Sequence, residues 1–149
     1  QLAPTSGSMG YGVPAAVAAK IACPERMSVA FSGDGCFMMH GQELATAMQY
    51  GAPTINVVVD NGMFGTIRMH QEKHYPGRTH ATELRNPDFA ALGRAYGGFG
   101  ATVERTDQFA DAFREAEASG LPAILHVKID PEAITPTASI SDLRAQHAG

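Results

Sequence analysis

Two short polar tripeptides carry the residue types that hard cations and phosphate-like anions require. Gly33-Asp34-Gly35 follows the apolar run that ends at Ser32, and Asp60-Asn61-Gly62 closes the run that starts at Thr54. The Asp34 carboxylate, the Asn61 amide oxygen and a nearby backbone carbonyl make an oxygen-only donor set, suited to Mg²⁺ and not to zinc or softer metals. Glycines at 33 and 35 let the backbone approach an anion closely, and a helix starting there points its free N–H groups at that anion. Each tripeptide taken singly is an ordinary turn. Asn61 lies 27 residues after Asp34. That is the length of strand end, helix, strand and strand end, which brings the two residues to one edge of a sheet.

The elements that must position these residues follow from pattern. Pro14 opens the alanine-rich PAAVAAKIA, a helix from about Val13 to Ala22. MSVAFS (Met27 to Ser32) and TINVVVD (Thr54 to Asp60) read as buried strands, and FMMHGQELATAMQYG between them reads as a helix stopped at Gly51. Further on, TIRMHQE predicts a short helix, Asp88 to Gly97 a capped helix and ATVER (Ala101 to Arg105) a strand. A helix capped by Thr106, with Phe109, Phe113 and Ala116 on one face, then precedes the last strand, PAILHVKID. Continuous apolar strands alternating with helices predict an α/β fold, a single domain whose parallel sheet carries helices on both faces. In such sheets ligands bind beyond the carboxyl ends of the strands. Residues 131–149 have Pro and Ser without periodicity and read as a mobile or partner-dependent arm.

Composition narrows the classes. With 149 residues the chain has one domain's length, and 44% hydrophobic against 17% charged residues excludes intrinsic disorder. The net charge of −4, with no basic run, disfavours nucleic-acid binding. No apolar stretch approaches the roughly 18 residues of a membrane span, and QLAPTSGSMGYG is not a signal peptide, so the expectation is a cytoplasmic protein off the membrane. Cys23 and Cys36 form no CxxC pair and read as reduced thiols. The chain begins with Gln, which suggests a piece of something longer.

A third element joins the two tripeptides. Gly7-Ser8-Met9-Gly10-Tyr11-Gly12-Val13-Pro14-Ala15-Ala16, then GDG after a strand, then an Asn turn after the next strand, resembles the diphosphate-binding domain of thiamine-diphosphate enzymes, closest to the acetolactate-synthase-like group. The resemblance runs from about Gly7 to Asp130, within a binding domain of residues 1–130. It departs at Asp60, where the family's motif usually has a first Asn. By this resemblance Asp34 and Asn61 bind Mg²⁺ with the Met63 carbonyl, and Gly33, Gly35 and Cys36 hold the diphosphate, the last two through backbone N–H groups. Met9 wedges between the two rings of thiamine diphosphate, and the Gly7 carbonyl accepts a hydrogen bond from the aminopyrimidine. The resemblance also implies a 2-oxo acid substrate, decarboxylated or ligated, and a homodimer or homotetramer. It further implies a pyrimidine-binding domain, of the same or a neighbouring subunit, that supplies a glutamate none of the carboxylates here matches. On that basis Glu43 reads as a packing or capping residue, and the chain alone as inactive.

Other features have competing readings. A Rossmann-like nucleotide- or phosphate-binding module without thiamine chemistry is the alternative, although the glycines from Gly7 to Gly12 are not in GxGxxG order. His70 and His74 stand four apart with Glu72 between, a zinc-like spacing, yet HQEKH is not HExxH and a polar surface helix is the simpler reading. His70, Gln71 and Thr66 are candidates for lining a substrate pocket. Cys36 at a helix N-terminus has no adjoining partner and reads as a backbone contributor, while Met38, Met39 and Met48 read as core or interface filler.

Overall fold

Pro14 falls in the first turn of helix α1 (Gly12–Ala22), where its missing N–H removes no hydrogen bond, and the alanines carry the helix onward to Cys23. The computed structural model describes residues 1–146. Strand β1 (Ser28–Gly33) leads without a separate turn into α2 (Asp34–His40), and a 3-10 turn at Gly41–Glu43 precedes α3 (Leu44–Gln49). Then come β2 (Thr54–Asp60), α4 (Gly65–His74), α5 (Phe89–Ala95), β3 (Phe99–Val103), α6 (Phe109–Ser119), β4 (Ala123–Lys128) and α7 (Ile140–Ala145). The strands pair only in parallel, in the order β1-β2-β4-β3.

Side chains alternate across the pleat, so neighbours in one strand enter opposite layers. Val57 and Leu125 pack under α6 with Val103, Ala112 and Ala116. Val58 and Ile124 pack on the other face with Val13, Phe37, Leu44 and Phe89, from α1, α2, α3 and α5. The four central residues Val57, Val58, Ile124 and Leu125 are at most 2% exposed, and each burial contributes about 1.5–3 kcal/mol. The two-faced parallel sheet expected from the continuous apolar strands is the observed fold. At its β1 edge Phe31 stays 70% exposed.

Four local readings change. The helix expected from Phe37 to Gly51 breaks at buried Gly41, where a Cβ would lie 2.7 Å from the Phe37 ring; Phe37, Leu44 and Ala47 still reach the core. Met38 and Met39 are 52% and 44% exposed, which removes the core half of their expected role and leaves the interface half. Strand β3 begins at Phe99 instead of Ala101 because Gly100 is not a turn residue: its missing side chain lets α5 pass against the strand at the Ala90 carbonyl. Thr106 caps nothing; it lies in a 3-10 turn, and Gln108 Oε1 accepts the Glu104 and Arg105 N–H groups at 2.9 and 3.0 Å.

The tail also carries more structure than its composition suggests. Ser139 caps α7 through a reciprocal pair with Asp142, and Ile140 is 2% exposed. Arg144 reaches Glu72 on α4 through Nε at 2.9 Å and Nη2 at 2.6 Å. Residues 147–149 of the expected arm lie outside the described residues.

Candidate functional site

Parallel pairing of β1 with β2 aligns Gly33 with Val59, so both polar tripeptides leave the same end of the sheet. Gly33 is extended (φ −65°, ψ 159°), and a Cβ built on it meets nothing within 4 Å. Asp34 starts α2 and is only 3% exposed. Its Oδ1 accepts the Gly35 N–H at 2.8 Å, and its Oδ2 accepts the Gly62 N–H at 2.9 Å and Asn86 Nδ2 at 2.7 Å. The Gly62 contact joins the start of α2 to the loop of Asn61. Asn61 Oδ1 accepts the Met63 N–H at 3.1 Å, which curls residues 61–63 into an Asx turn. Leu84 N–H to Gly62 O at 2.8 Å and Phe64 N–H to Thr82 O at 2.9 Å then sew this loop to residues 82–84. Gly35 is fixed by packing, since a Cβ there would lie 2.6 Å from the Phe64 ring. Cys36 is half-buried in the first turn of α2.

The Met9 segment arrives beside β1. Gly7 and Gly10 take positive φ of 65° and 81°, the left-handed region that glycine adopts without strain. Gly12 packs on Ser32, its absent Cβ leaving 2.6 Å to Ser32 Oγ, and the Gly10 carbonyl lies 3.0 Å from His40 Nδ1. Met9 is 39% exposed. A groove of about 800 Å³ along the β1 edge is lined by Ser8, Gly10, Tyr11, Gly33 and Cys36 among others, so the first two motifs share one cavity.

A second carboxylate stands beside Asp34. Asp60 Oδ1 accepts the same Gly62 N–H at 2.9 Å and the same Asn86 amino group at 2.7 Å, and its Oδ2 faces His126 Nε2 at 2.7 Å. Burial pushes the Asp34 carboxyl above its ordinary value, more than its hydrogen bonds from Asn86 and Gly35 lower it, and the neighbouring Asp60 adds to the rise. Burial acts upward on Asp60 as well, but donors from His126 and Asn86 outweigh it and hold that carboxyl below the ordinary value. The pair therefore favours an ionised Asp60 beside an Asp34 that takes up a proton more readily, an arrangement that a divalent cation would relieve.

The remaining candidates separate from this cluster. The His70 and His74 rings stack in parallel at 6.3 Å on α4, and no group of three or more His, Cys, Asp or Glu side chains that could hold a metal occurs among the described residues. Glu72 between them is turned inward and fully buried against Arg68 and Arg144, so α4 is not polar surface throughout. Gln71 spends its amide on the backbone of His80, at 2.8 and 3.1 Å, and Thr66 is exposed. Glu43 Oε2 accepts the Thr46 hydroxyl at 2.7 Å, a local structural contact. Asn86 and His126 were not legible as site residues. Their only sequence signals were an Asn before the Pro87-Asp88 helix start and a lone His in an otherwise apolar strand.

Comparison with known proteins places the chain. Residues 2–127 match the family model described as thiamine pyrophosphate enzyme, C-terminal TPP binding domain. The chain is 42% identical over 125 residues to the acetolactate synthase isozyme 2 large subunit of Escherichia coli, covering 83% of this chain and 23% of that protein. It is 35% identical over 131 residues to a probable acetolactate synthase large subunit of Methanocaldococcus jannaschii, covering 87% and 22%. Among solved structures, the thiamine diphosphate-dependent 4-hydroxybenzoylformate decarboxylase of Rhodococcus jostii superposes with a TM-score of 0.79 at 32% identity, covering 85% of this chain and 24% of that one. The chain thus spans under a quarter of the length of these relatives. Three ordered motifs, the parallel sheet that gathers them and the match over residues 2–127 agree: the chain belongs to the thiamine pyrophosphate enzymes, as their C-terminal TPP-binding domain.

Proposed function

We propose that residues 1–130 bind the diphosphate of thiamine diphosphate through Mg²⁺, within an acetolactate-synthase-like enzyme that acts on 2-oxo acids. The observation that carries this reading is the contact of Asp34 Oδ2 with the Gly62 N–H, which joins the start of α2 to the loop of Asn61 at one sheet end. Asp34, Asn61 and the Met63 carbonyl would hold the ion; all three donors are hard oxygens, as Mg²⁺ requires. The open space over Gly33 and the N-terminal turn of α2, with Gly35 and Cys36, suit a diphosphate. When bound, thiamine diphosphate supplies the nucleophilic carbon and electron sink that 2-oxo acid chemistry needs. Met9 and the Gly7 carbonyl would orient its rings from the segment that borders the groove through Ser8, Gly10 and Tyr11. The N1′ glutamate would come from a pyrimidine-binding domain of the same or a neighbouring subunit, in a cytoplasmic homodimer or homotetramer, so this chain alone would not turn over substrate. Decarboxylation and carboligation are both open to such a site, and its substrate walls would come partly from elsewhere.

The test is calorimetric titration of thiamine diphosphate with Mg²⁺ present, comparing the protein with Asp34→Ala. Loss of measurable Mg²⁺-dependent binding with unchanged far-UV circular dichroism is expected. Equal affinity in the variant would overturn the assignment.

A further inference from the structure

Asn86 is placed where a single amino group serves two acids. Its Nδ2 donates to Asp34 Oδ2 and to Asp60 Oδ1, both at 2.7 Å, and the Gly62 N–H bridges the same two oxygens at 2.9 Å each. Two shared donors therefore lock the carboxylates side by side. Asp60 is anchored in turn, because its Oδ2 lies 2.7 Å from His126 Nε2, and a carboxylate can only accept, so Nε2 carries the proton. The anchor is rigid: His126 is 2% exposed on β4, and its ring meets the edge of Phe89 at 5.0 Å and 82°.

We propose that Asn86 and the Asp60–His126 pair are positioning residues, which hold the Asp34 carboxylate in its metal-ligating orientation. This rests on the reading of Asp34 as a Mg²⁺ ligand. Three donors converge on residue 60, from Gly62, Asn86 and His126, and only a carboxylate can accept from all of them at both of its ends. An asparagine there would turn an NH₂ group toward His126 Nε2, which would have to give up its proton to accept it. Aspartate in place of the usual asparagine and histidine on β4 are thus complementary choices. For packing alone, a second ionised acid beside buried Asp34 carries a cost, since like charges at contact distance oppose one another. Beside a divalent cation the same acid adds to the attraction, and its partners orient the direct ligand, as outer groups around metal sites do.

The experiment follows Mn²⁺, as a substitute for Mg²⁺, by electron paramagnetic resonance in the presence of thiamine diphosphate. It compares the protein with Asn86→Leu, His126→Asn, His126→Gln and Asp34→Ala. Asn86→Leu, at a half-buried loop position, should weaken Mn²⁺ binding about 10–100-fold and broaden the spectrum of the ion that still binds. Gln can place its terminal nitrogen where Nε2 stands, whereas Asn mimics only Nδ1. His126→Gln should therefore keep an affinity within about 3-fold of the native protein, and His126→Asn should lose about 10-fold. Thermal unfolding without metal confirms that each variant folds, and Asn86→Leu remains decisive if a change at buried His126 does not. Native affinity and line shape in Asn86→Leu, with binding lost in Asp34→Ala, would overturn the positioning role and leave Asp34 as the ligand. Native affinity in Asp34→Ala would overturn the metal reading, and the positioning role with it.

Discussion

The Glu72→Gln substitution tests whether the link between α4 and α7 supplies stability of a size that can be worked from the structure. The Glu72 side chain is fully buried and accepts from Arg68 Nε at 2.9 Å, from Arg144 Nε and Nη2 at 2.9 and 2.6 Å, and from the Gly77 N–H at 2.8 Å. The Arg144 hydrogen bonds, opposed by burial and assisted by Gly77 and Arg68, hold the carboxyl down at about 2, against 4.5 when unfolded. At about 1.4 kcal/mol per pH unit, that difference is worth ~3 kcal/mol at pH 7. A depressed carboxyl stabilises fully above its unfolded value and loses that contribution as pH falls toward its folded value. At pH 3, between the two, ~1.4 kcal/mol should remain by the same linkage. The glutamine side chain keeps the shape but not the charge, so the variant should melt about 6–12 °C below the native protein at pH 7, at about 2–4 °C per kcal/mol for a chain of this size. The gap should shrink to about half or less at pH 3. Circular dichroism melts at both pH values measure it, and hydrogen exchange should show α7 amides opening first. A difference below about 1 kcal/mol at pH 7, or one that does not shrink on acidification, would refute the reasoning.

Further outcomes follow from single contacts. Gly100→Ala drives a methyl group into the Ala90 carbonyl and should cost about 1–3 kcal/mol in urea unfolding, because backbone there cannot step aside as a flexible side chain would. Asp88→Ala removes a cap that accepts the Ala91 N–H at 3.0 Å and should cost about 1 kcal/mol, whereas Thr106→Ala, which removes no cap, should change stability by less than about 0.5 kcal/mol. With the binding reading above, Met9→Ala should lower kcat of the whole enzyme while leaving the Kd for thiamine diphosphate nearly unchanged, and Met9→Leu should retain most activity; unchanged kcat in the alanine variant would remove Met9 from the mechanism.

What sequence reveals here divides by range. Strand β2 was readable to its ends because TINVVVD, in which five of seven residues are β-branched, lies between Pro53 and Asn61. Asp34 and Asn61 were readable because each sits where an apolar run stops, and the helix between β1 and β2 fixes their separation. The break at Gly41 was not, since helical periodicity continues through it and only the Phe37 ring shows why the glycine is needed. Glycines 98 and 100 look like turn residues in isolation, but they serve contacts with Pro122 and Ala90 in other elements. The docking of α7 depends on Arg144 meeting Glu72 across 72 residues, a pairing no local pattern encodes.

The order β1-β2-β4-β3 explains why the Asp60–His126 contact in particular escapes inspection of the chain. A simple succession of neighbours would put β3 beside β2 and leave His126 one strand further away. Insertion of β4 instead sets Val58 opposite His126, and the histidine, two residues earlier in register than Asp60's own partner Lys128, reaches up to the carboxylate at the strand end. Asn86 arrives from the opposite direction, on the segment just before α5, whose Phe89 also supports the His126 ring. The carboxylate pair is therefore framed by two elements that come later in the chain than both tripeptides. Residues 33–62 carry Asp34 and Asn61; the donor from Asn86 comes from the segment before α5, and the donor from His126 reaches Asp60 because β4 pairs with β2. Because that strand is also the one with Ile124 and Leu125 at the centre of both hydrophobic layers, the packing that completes the core is the same packing that fixes the acids at its end.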